Sequence, residues 1–179
     1  PGGLMSGNGG DRLEPYLGRL FGYAVSLTND RDLALEVMQD CMVKSLAART
    51  PPVEEAAYRA WLFRILRNAA IDRHRNGAPA LLALDDETEV ADPASLRVEE
   101  SLINRLTVRA GMTSLSAAHR EIIALVDIAG FSYTETAALL QVPVGTVMSR
   151  VSRARRALLA AISEHNVYSL ARRREGSRP

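Results

Sequence analysis

A single cysteine, Cys41, stands in the 179-residue chain, so no disulfide can form within it, which fits a reducing cytoplasm. Cys41 shares an apolar helical face with Leu33 and Val37, a setting of a core thiol and not of a redox sensor. Aromatic residues make up only 5% of the chain, while Ala, Leu and Arg are abundant, a balance that favours helices over sheets. No apolar run approaches the ~20 residues a membrane span needs, and no basic-then-apolar leader is visible. Pro1 to Leu4, ahead of Met5, read as an expression remnant and are set aside. His74, His119 and His165 are scattered, with no Glu-x-x-His or paired-Cys spacing, so neither a metal nor a cofactor is expected. Asp72 and His74 lie two apart on a helix and face different ways, and no glycine-rich phosphate loop follows a strand. Enzyme chemistry is therefore the weakest reading.

The net charge is +1, so the chain as a whole is not a polycation, but its charges are segregated. Arg150, Arg153, Arg155, Arg156, Arg172, Arg173, Arg174 and Arg178 crowd the C-terminal end. Asp85, Asp86, Glu87, Glu89, Asp92, Glu99 and Glu100 crowd the middle. The pattern suggests a basic nucleic-acid surface and an acidic tether.

An all-α chain is predicted: two small helical domains joined by an acidic flexible linker, the C-terminal one containing a helix-turn-helix. The first domain spans 11–77, the linker with a helix 78–111, the second domain 112–164, and a basic, frayed tail 165–179. Leu13, Leu17, Leu20, Phe21 and Ala24 define a first amphipathic helix ending near Thr28-Asn29-Asp30. A second runs from Arg31 to about Ala48, where Pro51-Pro52 breaks the chain. A third runs from near Glu54 to about Arg75. Residues 78–92 lack periodicity and lie between Pro79 and Pro93. A helix from Ala94 to about Ala110 follows. Ser116 can cap the next helix, and Gly130 can end it in the left-handed conformation.

Ser132 to Arg156 is the most informative stretch. Ser132 and Glu135 have capping-box spacing, so a helix starts at Tyr133, and Gln141-Val142-Pro143 interrupts it. A left-handed Gln141, where such turns usually hold glycine, costs roughly 1 kcal/mol. From Val144, the residues Val147, Val151, Ala154, Leu158 and Ala161 form one buried stripe. Thr146, Ser149, Arg150, Ser152, Arg153 and Arg156 are left to face outward. Small hydroxyls permit close approach to base edges, and arginines bind phosphate or guanine. This is the pattern of a helix that enters a major groove.

The N-terminal block offers a second such surface. Leu62, Ile65, Leu66 and Ala69 mark a core face around Trp61; Arg64, Arg67, Asn68 and Arg75 mark the opposite one, suited to a phosphate backbone. Trp61, at the edge of the apolar face, is either core or a stacking platform for an unpaired base. On the second helix Glu36, Gln39, Asp40 and Val43 share a polar, acidic face, either solvated or a dock for a basic partner helix.

Asp32 to Asp40 and Ala60 to Arg75 strongly resemble the second region of extracytoplasmic-function sigma factors. Leu115 to Val126, Phe131-Ser132-Tyr133 and Pro143 to Arg150 resemble the fourth. The resemblance covers about nine-tenths of the chain with both blocks in order. It implies a protein that binds core RNA polymerase and promoter DNA, with an anti-sigma factor as a further partner. By position, Glu36, Gln39, Asp40 and Val43 would dock on polymerase. The loop from Ala47 to about Tyr58, with Trp61, Arg64, Arg67, Asn68 and Arg75, would hold the melted minus-ten strand. Thr146, Ser149, Arg150, Ser152, Arg153 and Arg156 would read the minus-thirty-five duplex. Met148 departs from a common lysine, Gln141 from the turn glycine, and the tail from Val167 has no family counterpart. Two other readings remain: a sigma mimic that sequesters an anti-sigma factor, which has no need of these arginines, and a stand-alone helix-turn-helix regulator, which leaves the N-terminal block unexplained.

Overall fold

The structure, a computed structural model, describes residues 9–75 and 107–175, with side chains described as far as Ser163. The acidic stretch 78–92 and most of the helix expected from Ala94 lie outside the described residues. Pro15 decides how the chain begins. The spacing of Leu13, Leu17 and Leu20 predicts one helix, but the structure divides it into α1 (Gly9–Leu13), a 3-10 turn (Glu14–Tyr16) and α2 (Leu17–Thr28). A proline has no N–H to continue the α-ladder, and the turn absorbs it. Asn29, at φ 54°, closes α2 in the left-handed region, which asparagine tolerates better than most residues.

Asp30 then caps α3 (Arg31–Leu46), its carboxylate accepting from the Leu33 N–H at 2.9 Å. After the proline loop, α4 (Glu55–Arg75) returns across α2 and α3. Leu20, Tyr23, Val37, Leu62, Phe63 and Leu66 are fully buried between them. Cys41 belongs to this core, its Sγ 3.6 Å from the Leu62 carbonyl. Burial pushes its thiol up to about 12, so it is inert, as its apolar neighbours predict.

In the C-terminal block, residues 107–114 form α5, which runs past the end expected at Ala110. Ser116 caps α6 (Ala117–Ile123) as predicted, accepting from the His119 N–H at 3.3 Å. The helix then widens into a π-turn (Ala124–Ile128) before Gly130 ends it at φ 74°. The wider turn changes the phase of the helix. Ile122 and Ile123 therefore face the C-terminal core, whereas Leu125 and Ala129 face α2 and α4. Next come α7 (Tyr133–Leu140) and α8 (Val144–Glu175). The α8 backbone stays helical through Glu175, where fraying from His165 is the sequence expectation.

The N-terminal and C-terminal blocks pack on each other. One apolar cluster joins Leu20, Tyr23, Phe63 and Leu66 to Leu125, Ala129, Phe131 and Leu139 across the two. Phe63 and Phe131 meet edge to face, with ring centres 4.9 Å apart, a favoured aromatic geometry. Gly22 permits the approach of α2 to the π-turn: a Cβ there would meet Ile128 Cγ2 at 3.0 Å. A second cluster of Leu115, Ile122, Ile123, Ala137, Val147, Val151 and Ala154 lies within the C-terminal block.

Candidate nucleic-acid interface

The capping box that opens α7 is complete. The Glu135 N–H donates to Ser132 Oγ at 3.2 Å, and the Ser132 N–H donates to Glu135 Oε2 at 2.8 Å. That backbone hydrogen bond, with the side-chain bond from Ser132, holds the Glu135 carboxyl below the usual carboxylate range. Gln141 stands at φ 57°, ψ 45°, the left-handed turn the sequence predicts. It sets α8 running away from α7, and the Thr146 N–H closes the entry by donating to the Pro143 carbonyl at 2.9 Å.

On α8, Val147, Val151 and Ala154 are buried, while Leu158 and Ala161 are half-buried at the end of the same stripe. Ser149, Ser152, Arg153 and Arg156 are exposed, and Thr146 and Arg150 are half-buried. Arg153 lies back along the helix, donating to the Ser149 carbonyl and to Ser149 Oγ, both at 3.2 Å. Arg155 points elsewhere, its guanidinium donating to Asp127 at 2.5 and 3.2 Å and tying α8 to the π-turn. The outward row is thus a hydroxylic and cationic strip along one face of α8.

The α4 surface is less uniform than its sequence suggests. Arg64, Asn68 and Arg75 are exposed. Arg67 instead turns toward the C-terminal block and donates from Nε to Glu121 Oε1 at 2.7 Å. Burial opposes the charge on Arg67, but the hydrogen bond and charge of Glu121 outweigh it and hold the guanidinium above its ordinary pKa. The Tyr23 hydroxyl also donates to Glu121 Oε1, at 3.3 Å. Burial first, and then the Glu121 charge, push that phenol well up. Arg59, one turn before Phe63, places its guanidinium 3.9 Å over the Phe131 ring and donates to the Ala129 carbonyl. Trp61 is half-buried against Tyr58, with ring centres 5.5 Å apart.

The acidic face of α3 is partly neutralised from within. Arg73 of α4 donates to both Glu36 and Asp40, the latter at 2.9 Å, and Asp40 with Glu36 raises the Arg73 pKa. Gln39 is exposed beside them. Val43 is 67% exposed and Leu46 56%, so this face carries an apolar strip next to a charge-balanced one.

The loop between α3 and α4 is held from a distance. Arg12 of α1 donates to the Pro52 and Val53 carbonyls, at 2.7 Å each, and to Glu55 Oε2. Its guanidinium lies 3.9 Å over the Tyr58 ring. The Tyr16 hydroxyl donates to Glu55 Oε1 and, with Arg12, holds that carboxyl below its usual range. Arg12, Arg59, Arg73 and Glu121 carry much of the surface geometry, and none stands out in the sequence. Their partners lie 33 to 98 residues away along the chain, beyond any local pattern.

Two family profiles match: Sigma-70 region 2 over residues 13–78 and Sigma-70, region 4 over residues 105–158. The chain is 32% identical over 146 residues to the ECF RNA polymerase sigma factor EcfG of Rhodopseudomonas palustris, covering 78% of this chain and 77% of that one. It is 30% identical to the ECF RNA polymerase sigma factor SigL of Mycobacterium tuberculosis, with 83% and 85% covered. Among solved structures it resembles the sigma factor RpoE in complex with the anti-sigma factor NepR from Bartonella quintana. That match has a TM-score of 0.63 and 28% identity, with 86% and 96% covered. CnrH in complex with the cytosolic domain of CnrY is similar too, with a TM-score of 0.58 and 28% identity over 89% and 92% of the two chains. With both sigma regions in order and relatives at this identity over most of its length, the chain belongs to the ECF RNA polymerase sigma factors.

Proposed function

We propose that this chain binds core RNA polymerase and directs it to promoters, reading duplex and unpaired DNA with separate surfaces. The observation that carries the proposal is the outward strip of Ser149, Ser152, Arg153 and Arg156 on α8. It stands behind a capped α7, in a chain whose region 2 block presents its own exposed Arg64, Asn68 and Arg75. Thr146 and Arg150 flank the strip and suit phosphate contacts, which position a protein on duplex without specifying sequence. Trp61 and the loop at residues 47–54 border the α4 surface and suit an unpaired strand.

The exposed Val43 and Leu46 beside Gln39, Glu36 and Asp40 support α3 as the polymerase dock. An apolar strip within a polar rim is the usual anatomy of an interface. The RpoE relative is solved with an anti-sigma factor, which supports an anti-sigma factor as a partner here too. Arg67 reaches DNA only after leaving Glu121, so in this reading the two blocks part when the promoter is engaged.

Run-off transcription with purified core polymerase on genomic fragments tests the proposal. A defined start site that depends on this chain is the expected result. DNA binding without any specific transcript would favour a stand-alone regulator. Tight anti-sigma binding with neither would favour a mimic.

A further inference from the structure

The loop at residues 47–54 has few means of holding its own shape. Pro51 and Pro52 bring no backbone N–H. Among the described residues its backbone hydrogen bonds sit at its two ends, Ala47 N–H to the Val43 carbonyl and Tyr58 N–H to the Glu54 carbonyl. Val53, at its tip, is 91% exposed. A single exposed valine is ordinary on a protein surface; what sets this one apart is how its backbone is held.

Arg12 supplies the missing constraint. Its two terminal nitrogens each meet a different carbonyl, of Pro52 and of Val53, and its Nε meets Glu55. Its flat face lies on Tyr58, which in turn lies against Trp61. A planar guanidinium can bridge two carbonyls and stack on a ring at once, whereas an ammonium acts as a point charge. With both carbonyls fixed, the direction of the Val53 side chain is fixed between them. The stack Arg12–Tyr58–Trp61 forms a floor beneath the loop.

From this we infer that Arg12 is a positioning residue for strand reading: it sets the loop so that Val53 meets a base of the unpaired strand, though it touches no DNA itself. The inference rests on the proposed strand-binding role of the α4 surface and adds which residue of the first helix fixes base preference there.

The test uses holoenzyme assembled from core polymerase and the full chain, with a pool of short single-stranded DNA of random sequence as the probe. Bound strands are sequenced for wild type, Arg12→Lys and Val53→Ala. Wild type should enrich a short motif. Arg12→Lys keeps the charge and should keep the overall salt-dependent affinity. It should lose about ten-fold of the base preference at one or two adjacent positions, the size of effect one charge-assisted hydrogen bond controls. Val53→Ala should alter the same positions. If Arg12→Lys leaves the motif intact while Val53→Ala changes it, the loop reads the base without Arg12 and the inference fails. A motif unchanged in both variants removes the loop from strand reading, and the inference with it. No enrichment by wild type itself would instead sink the strand-binding proposal beneath it.

Discussion

Arg67 of the region 2 block donates to Glu121 of the region 4 block at 2.7 Å, and Tyr23 donates to the same carboxylate oxygen. Both partners of the ion pair are mostly buried, with side chains 28% and 19% exposed. A hydrogen bond to a charged group contributes about 1.5–3 kcal/mol in such a setting. Glu121→Gln retains the shape and removes the charge. It should weaken the packing between the blocks, enlarge the radius measured by small-angle scattering, and strengthen binding to a promoter with an unpaired minus-ten segment. A variant as compact as wild type and no better at binding would mean that the pair does not hold Arg67 away from DNA.

Gln141 holds a left-handed backbone at the turn of the helix-turn-helix. Its side chain is exposed, so nothing is lost by removing it. Gln141→Gly should therefore stabilise the domain by about 1 kcal/mol, the cost an L-residue bears in that conformation. A β-branched Gln141→Val should destabilise it. Urea unfolding with an unchanged slope checks both signs.

The local part of this fold was legible in the sequence, and the reason is physical. Ser132, Glu135, Ser116 and Gly130 act through neighbours within a few residues, and their caps stand where spacing places them. The α8 stripe was equally readable, because Val147, Val151 and Ala154 repeat with the helix itself. Pro15 was a break that the apolar spacing of Leu13, Leu17 and Leu20 concealed. Three features left no local trace. The π-turn at Ala124–Ile128 depends on two cores competing for one helix. The pairing of Arg67 with Glu121, and of Arg73 with Glu36 and Asp40, depends on how distant helices cross. A row of arginines at helical spacing looks like one face, and only tertiary packing reveals that Arg67 leaves it.

Acid should weaken the α7 cap in a defined direction. Glu135 sits below the usual carboxylate range because Ser132 donates to it. A depressed folded pKa means that its stabilising effect is complete above the unfolded value, about 4.3. That effect is lost as pH falls further, through the folded value. Ser132→Ala should cost about 1 kcal/mol at neutral pH, and its stability should change less than wild type between neutral pH and the acid limit. Parallel pH profiles for the two would show that the Ser132 hydroxyl does not contribute to acid sensitivity, since the N–H at position 132 still reaches Glu135 in the variant.

The division of DNA reading between the two blocks can be tested with residues that carry no structural duty elsewhere. Arg67 is unsuitable, since its loss also frees Glu121, and Arg155 is engaged with Asp127. Arg156, Arg64 and Asn68 are exposed, and Arg153 contacts only Ser149 of its own helix in the described contacts. Base-edge contacts from α8 are worth about 1–3 kcal/mol each when bidentate, and every 1.4 kcal/mol is about ten-fold. Arg153→Ala or Arg156→Ala should therefore reduce transcription from an intact promoter by about ten-fold or more where such a contact is lost. On a template already melted at its start site the same variants should have little effect, because duplex recognition upstream no longer limits initiation. Arg64→Ala with Asn68→Ala should impair opening of the intact promoter even when the upstream element is ideal. The double variant should also weaken retention of the unpaired strand on the melted template. Equal losses from both sets on the melted template would mean that the α8 strip and the α4 surface act on the same step.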